Sequence, residues 1–291
     1  MTATIINIVT PIFAIVLAGF FYARWHAPDM AAANTINLRI FLPALVFSVI
    51  ATNDVQLLDY QDLALAGVVV FLISGVIAIP IAKLFGFQLK TFLPPMMFNN
   101  CGNMGLPLAL LTFGEAHLTG MVILFVVTNL LAFSVGFMVV AGRLDLRALL
   151  TNPILLASAA AVTVNLSDHT LPDAVLQTTL LLGQVSIPLL LFALGVRMTG
   201  IDLRDWRIGL IGAIASPLTG VIGALIATAI LDIRDLAYQQ LMLYAVLPPA
   251  VLSFIIAEQA NQEPDKVAAI ALIGNAAAII VVPIALSYVL R

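Results

Sequence analysis

A chain of 291 residues that is 62% apolar and only 9% charged cannot hide its hydrophobic surface in a soluble core, since soluble domains run about half apolar and about a quarter charged. Its net charge of −3 argues against a nucleic-acid partner, and its single cysteine, Cys101, allows neither an internal disulfide nor a Cys/His metal cluster. The composition is that of an all-α integral membrane protein, with the lipid bilayer as its first partner.

A helix needs about 20 mostly apolar residues to cross about 30 Å of hydrocarbon. Ten segments meet that need: residues 4–22, 31–50, 62–83, 92–113, 118–140, 153–167, 174–197, 207–230, 237–259 and 267–290. They are numbered here as spans 1 to 10. Span 1 lacks the basic leader and small-residue cleavage site of a signal peptide, so it reads as a membrane helix. Span 2 carries Arg39, whose long side chain either snorkels to the nearby face or attracts substrate. Asn37, Tyr22 and Trp25 fit interfacial positions. Span 6 is the shortest. The connections are short and polar, which leaves function to the membrane region and its faces.

Lysines and arginines fall unevenly. Arg24, Lys83, Lys90, Arg143, Arg147, Arg197, Arg204, Arg207 and Lys266 collect at one face, against Arg234 and Arg291 at the other. The positive-inside rule makes the first face cytoplasmic and puts both termini on the outer, periplasmic side of a plasma (bacterial inner) membrane.

Landmarks recur at a nearly constant interval: Pro11 with Pro153, Pro43 with Pro188, Pro107 with Pro248, and Asn129 with Asn275. The chain reads as two five-span halves, residues 1–140 and 153–291, joined by a cytoplasmic linker over 141–152. Five is odd, so the second half enters from the opposite side. Inverted repeats of this kind mark secondary transporters, because alternating access needs two states of similar energy.

Two spans carry helix-breaking sequence where lipid would penalise it most. Span 4 contains "FNNCGNMGLPLAL", with Asn99, Asn100, Asn103, Gly105 and Pro107, and span 9 contains "LYAVLPPAVLSF", with Tyr244, Pro248 and Pro249. An unwound backbone survives there only against protein or a water-filled cavity, and a proline biases its predecessor away from the helical region. New helix N-termini are expected near Leu106–Leu108 and over Pro249–Leu252, and the broken spans are expected to cross. Such termini carry partial positive charge and free N–H donors, so with the asparagine amides they suit a small organic anion, a carboxylate. Met96, Met97 and Met104 read as packing residues, and Cys101 as a buried filler.

"NTINLRIFLPALVFSVIAT", "NNCGNMGLPLALLTFGE" and "YAVLPPAVLSFIIAEQAN" resemble stretches of the auxin efflux carrier family, which includes the plant PIN proteins and bacterial transporters of small organic acids. The resemblance covers nearly the whole chain. It implies the crossed-helix fold shared with sodium–proton antiporters and bile-acid symporters. It also implies a scaffold of spans 1, 2, 6 and 7, a moving part of spans 3–5 and 8–10, and an elevator-like motion. Carboxylate binding by Asn99, Asn100, Asn103 and either Gln184 or Ser186 is implied too; the oligomeric state stays open, with a homodimer through the scaffold as one arrangement. The long cytoplasmic loop of the plant PIN proteins is replaced by Ala141–Asn152, which counts against auxin as the substrate.

No Asp or Glu falls centrally in spans 5 or 10; Thr128, Asn129 and Asn275 stand there instead, as polar support or ion ligands. Glu115 and Glu258 lie near span ends, and Asp54, Asp59 and Asp62 surround an outward loop. No cofactor or metal is expected. The energy source stays open between uniport, which gains about 2.3 kcal/mol per charge per 100 mV, and Na+ or H+ coupling. The rival readings are a sodium-coupled symporter of the bile-acid type and a membrane sensor that binds a ligand without moving it. No Gly-x-Ser-x-Gly, His-Glu-x-x-His or paired intramembrane aspartate suggests an enzyme.

Overall fold

The computed structural model describes residues 2–52, 56–167, 171–200 and 204–290; Asp54 and Arg291 lie outside the described residues. Among those residues the regular structure is helical, apart from one isolated antiparallel bridge between Asn99 and Pro249. The unbroken spans are Thr2–His26, Ala31–Ile50, Leu57–Phe85, Thr119–Ala141, Asp173–Met198, Trp206–Leu231 and Pro264–Val289, seven helices long and apolar enough to cross a membrane. Span 4 is divided into Leu89–Met97 and Cys101–Phe113, and span 9 into Asp235–Ala245 and Leu252–Gln259.

Span 6, Pro153–Asn165, has 13 residues, about 20 Å at 1.5 Å per residue. Its start is fixed locally: Pro153 occupies the first turn, and the Asn152 side chain accepts hydrogen bonds from the Ile154 and Leu155 amides. Its end is pinned where Asn165 donates to the carbonyls of Ile50 and Thr52 at the end of span 2.

The packing of spans 1–5 and of spans 6–10 follows a common pattern. Span 1 packs on span 7, and span 6 packs on span 2. Span 3 packs against spans 4 and 5, as span 8 does against spans 9 and 10, while spans 3 and 8 pack on each other. These contacts of one half recur in the other with the numbering advanced by five.

Spans 5 and 10 seat the two breaks through glycines. A side-chain carbon at Gly136 would run into the Phe98 ring, and one at Gly274 would come within 2.6 Å of Pro249 Cδ. The expected restart of span 4 is corrected: the helix resumes at Cys101, as a π-helical turn over Cys101–Gly105, so Gly105 and Pro107 lie inside it. The reason is that Asn100 accepts from the amides of both Met104 and Gly105, forming a wide first turn before Pro107. Pro107 therefore does not face Pro248 across the crossing. A pair unremarked in the sequence, Pro94 and Pro95, lies inside the preceding half-helix, which ends at Met97 where the Phe98 amide donates to the Pro94 carbonyl.

At the end where spans 9 and 10 connect, Thr91 donates its hydroxyl to Glu263 at 2.5 Å, and Lys266 pairs with the same carboxylate. Gln262 donates to Gln88 and to Thr91. Burial alone would raise the Glu263 pKa; the hydrogen bonds from Lys266 and Thr91 and the Lys266 charge outweigh it and hold the carboxyl below its ordinary value of 4.5. A depressed carboxyl stabilises the fold above the unfolded value and loses that contribution as pH falls through the folded one. Glu263→Gln should therefore flatten the fall in melting temperature below pH 4.5, read by circular dichroism in detergent. An acid-side fall as steep as that of the unaltered protein would show the network to be silent.

Candidate functional site

The two breaks satisfy each other. The Asn100 amide donates to the Pro248 carbonyl and the Ala250 amide donates to the Phe98 carbonyl, each at 2.7 Å. Side chains lock the crossing on both sides. Asn99 Nδ2 donates to the Tyr244 carbonyl and Asn100 Nδ2 to Asn275 Oδ1, both at 2.7 Å. Asn275 in turn donates to the carbonyls of Pro249 and Ala271. The Tyr244 hydroxyl, fully buried, is 2.8 Å from Thr128 Oγ1, and Thr128 also donates to Leu124. Asn129 donates to the Phe125 carbonyl.

A cavity of about 300 Å³ ends on this crossing. Its inner wall is Phe98–Asn103 and Ala250–Leu252, the extended strands and the first residues of both restarted helices. The amides of Cys101, Gly102 and Asn103 precede Met104, the first amide to donate within the restarted helix, so they stand free of intrahelical acceptors. The Asn103 side chain makes no hydrogen bond to the described residues and is half-buried. The outer wall comes from span 2 (Asn34, Asn37, Arg39), span 5 (Thr128, Asn129, Phe133), the start of span 6 (Asn152) and span 7 (Leu190, Ala193, Arg197). Seven asparagines and two arginines line it, with no Asp or Glu among the described residues. Three π-helical turns, Asn37–Phe41, Cys101–Gly105 and Ala132–Gly136, all border it. Such turns open a helix and gather at functional sites.

The sequence-derived residues divide into three groups. Asn99, Asn100, Asn103, Thr128, Asn129 and Arg39 line the cavity. Tyr244, Pro248, Pro249 and Asn275 do not line it but build the frame behind it, and Gly105 and Pro107 pack deeper in span 4. Ser186 lies fully buried one turn below Leu190, and its hydroxyl has no partner among the described residues. Gln184 is exposed on the outer surface of span 7. At 100° per residue it points away from the stripe of Leu190, Ala193 and Arg197, so the structure does not bring it to the cavity. Asn37, expected at an interface, is instead 1% exposed with an unpartnered Oδ1. Asn34, Asn152 and Arg197 were missed as site residues. Only the three-residue spacing of Asn34 and Asn37, which places them on one helix face, hinted at them.

A second cavity, about 560 Å³, enters from the opposite end beside Ser48, Thr52, Asp59, Glu115, Thr119 and Leu180. Along span 2 only the stretch between Leu42 and Ser48 separates the two cavities, about 9 Å of helix. Gly120–Leu124 separates them along span 5.

A multi-span helical fold with two interrupted spans that cross, one cavity ending on the crossing and a second entering from the opposite end, is that of a multi-pass membrane protein of the transporter class. The chain belongs to the auxin efflux carrier family: the family model described as "Membrane transport protein" matches residues 137–286. Over 93% of its length the chain is 26% identical to a protein of Rhizobium meliloti (strain 1021) named "Putative malonate transporter", 91% of which is covered.

The hydrogen bonds assign different consequences to neighbouring asparagines. Asn100→Ala strands the Asn275 carbonyl oxygen in the interior and should destabilise the protein by about 1–3 kcal/mol. Asn103→Ala breaks no bond and should change stability by less than about 0.5 kcal/mol. Thermal unfolding in detergent separates the two, and equal losses would contradict the assignment.

Proposed function

We propose that this chain carries a small organic carboxylate across the plasma membrane by alternating access, with both termini on the outer side. The observation that carries the reading is the cavity wall. It offers free backbone N–H donors, unpaired asparagine amides and two guanidinium groups, with no carboxylate to repel an anion. The name of the Rhizobium meliloti relative supports the same substrate class. The cavity opens toward the end rich in Lys and Arg, which the positive-inside rule makes cytoplasmic, so this conformation faces inward.

The packing of spans 1, 2, 6 and 7 with one another, and of spans 3–5 with 8–10, supports two bodies that move relative to each other in an elevator-like step. Because the crossing is held by bonds within the second body alone, the crossing would travel intact past a barrier only about 9 Å thick along span 2. One observation favours cation coupling over uniport. Asn99 Oδ1 is buried without a partner and its Nδ2 is committed to Tyr244, so an oxygen ligand stands ready beside the break.

Protein reconstituted in liposomes should show saturable flux of labelled malonate, and Asn103→Ala should lower it by about tenfold or more while keeping the melting temperature. Binding without flux would identify a sensor instead. Flux that is indifferent to Asn103 would displace the site. Flux unchanged when sodium is replaced by a large organic cation would remove the coupled variant.

A further inference from the structure

Leu190, Ala193 and Arg197 form one stripe of span 7, and all three line the cavity. The cavity thus follows that helix for about 10 Å, from near the crossing to Arg197. Helical side chains lean toward the N-terminus of their helix, and span 7 begins at the opposite end of the molecule. The Arg197 guanidinium is therefore carried back toward the crossing, and the residue is half-buried. Span 2 runs the other way, so Arg39 leans outward and is exposed. Arg197 has no carboxylate partner among the described residues. A half-buried guanidinium in the last turn of a span is costly without a counter-charge, and among the described residues nothing in the cavity wall supplies one.

At the inner end, the free Asn103 amide and the first amides of the restarted helix already suffice for one carboxylate. Arg197 offers a second anion position, on a different span. Building on the carboxylate-carrier reading above, we propose that Arg197 is a specificity-determining residue that selects a small dicarboxylate over a monocarboxylate. One carboxylate rests on Asn103 and the start of the restarted span 4 helix, and the other is held by the two-pronged guanidinium of Arg197. Arg197 is then the residue that separates dicarboxylates from monocarboxylates of equal length. Because span 7 and span 4 belong to the two different bodies, such a substrate bridges them at the cavity.

The competing account is that Arg197 merely complements the carbonyl end of span 7, as cations do in a last turn. That role would move thermal stability without touching ligand preference. The test titrates the purified full-length protein with malonate and with propionate, which share three carbons and differ by one carboxylate, at about pH 8 where both are fully ionised. Binding is read by calorimetry alongside thermal unfolding. The expected result is malonate bound about tenfold or more tighter than propionate. Arg197→Gln should bring malonate down to the level of propionate and leave propionate within about twofold. Arg197→Lys, which keeps the charge but not the fork, should fall between the two.

A wild-type preference that survives in Arg197→Gln overturns the proposal, and so does a wild-type protein that binds both acids equally. Should the Gln variant fail to fold, a Lys variant with the full wild-type preference overturns it as well. A protein that binds propionate without favouring malonate rejects only the dicarboxylate; one that binds neither rejects the carboxylate reading with it.

Discussion

Backbone groups freed inside a membrane have no water to turn to, and each one left unpaired costs several kcal/mol. The structure meets this constraint by making two broken spans repair each other. Phe98, Asn99 and Asn100 run antiparallel to Pro248, Pro249 and Ala250, and the reciprocal bonds from the Asn100 and Ala250 amides close the gap. Everything else at the centre serves this crossing. Gly136 and Gly274 give it room, Asn275 ties Asn100 to the Pro249 carbonyl, and Tyr244 supplies the carbonyl that fixes Asn99. Pro248 and Pro249 suit the role because they lack the N–H groups that would otherwise need partners.

Once the crossing is self-sufficient, the helix that restarts beyond it can leave its first amides unused, and these face the cavity beside Asn103. The electrostatics of the two cavities differ in sign. The one ending on the crossing is lined by arginines and asparagines without a carboxylate, while the opposite one is bordered by Asp59 and Glu115. An anion is attracted on one side and discouraged on the other, which affects how readily it arrives but not the equilibrium the membrane potential sets. The positive charges sit on spans 2 and 7, and the neutral amides of the inner wall on span 4. A motion of one body past the other would therefore part the guanidinium groups from the crossing and help release the substrate.

The sequence made the architecture plain because its evidence is additive. Ten apolar stretches, a lopsided distribution of Lys and Arg and recurring prolines all point the same way, and clustered Asn, Gly and Pro in an apolar run mark a break. The frame residues Tyr244, Pro249 and Asn275 were legible for the same reason. What stayed hidden depended on rotation and register. Gln184 and Ser186 differ by two positions, yet at 100° per residue one faces outward and the other inward. The restart at Cys101 followed from a wide turn that propensity does not announce, and it moved Gly105 and Pro107 from the rim into the packed interior. Arg197 looked like one more cation at the basic end, because side-chain lean becomes informative only once the direction of span 7 relative to a cavity is known.

The most direct test asks whether the crossing is where the anion sits and whether it is reached from both sides. Leu252, at the start of the second half of span 9, lines the cavity, so Leu252→Cys in a Cys101→Ser background places a thiol there. Labelling by membrane-impermeant thiol reagents from either side of oriented vesicles should proceed, and saturating malonate should slow it. A thiol reachable from one side alone under every condition, or one to which malonate makes no difference, would contradict the account.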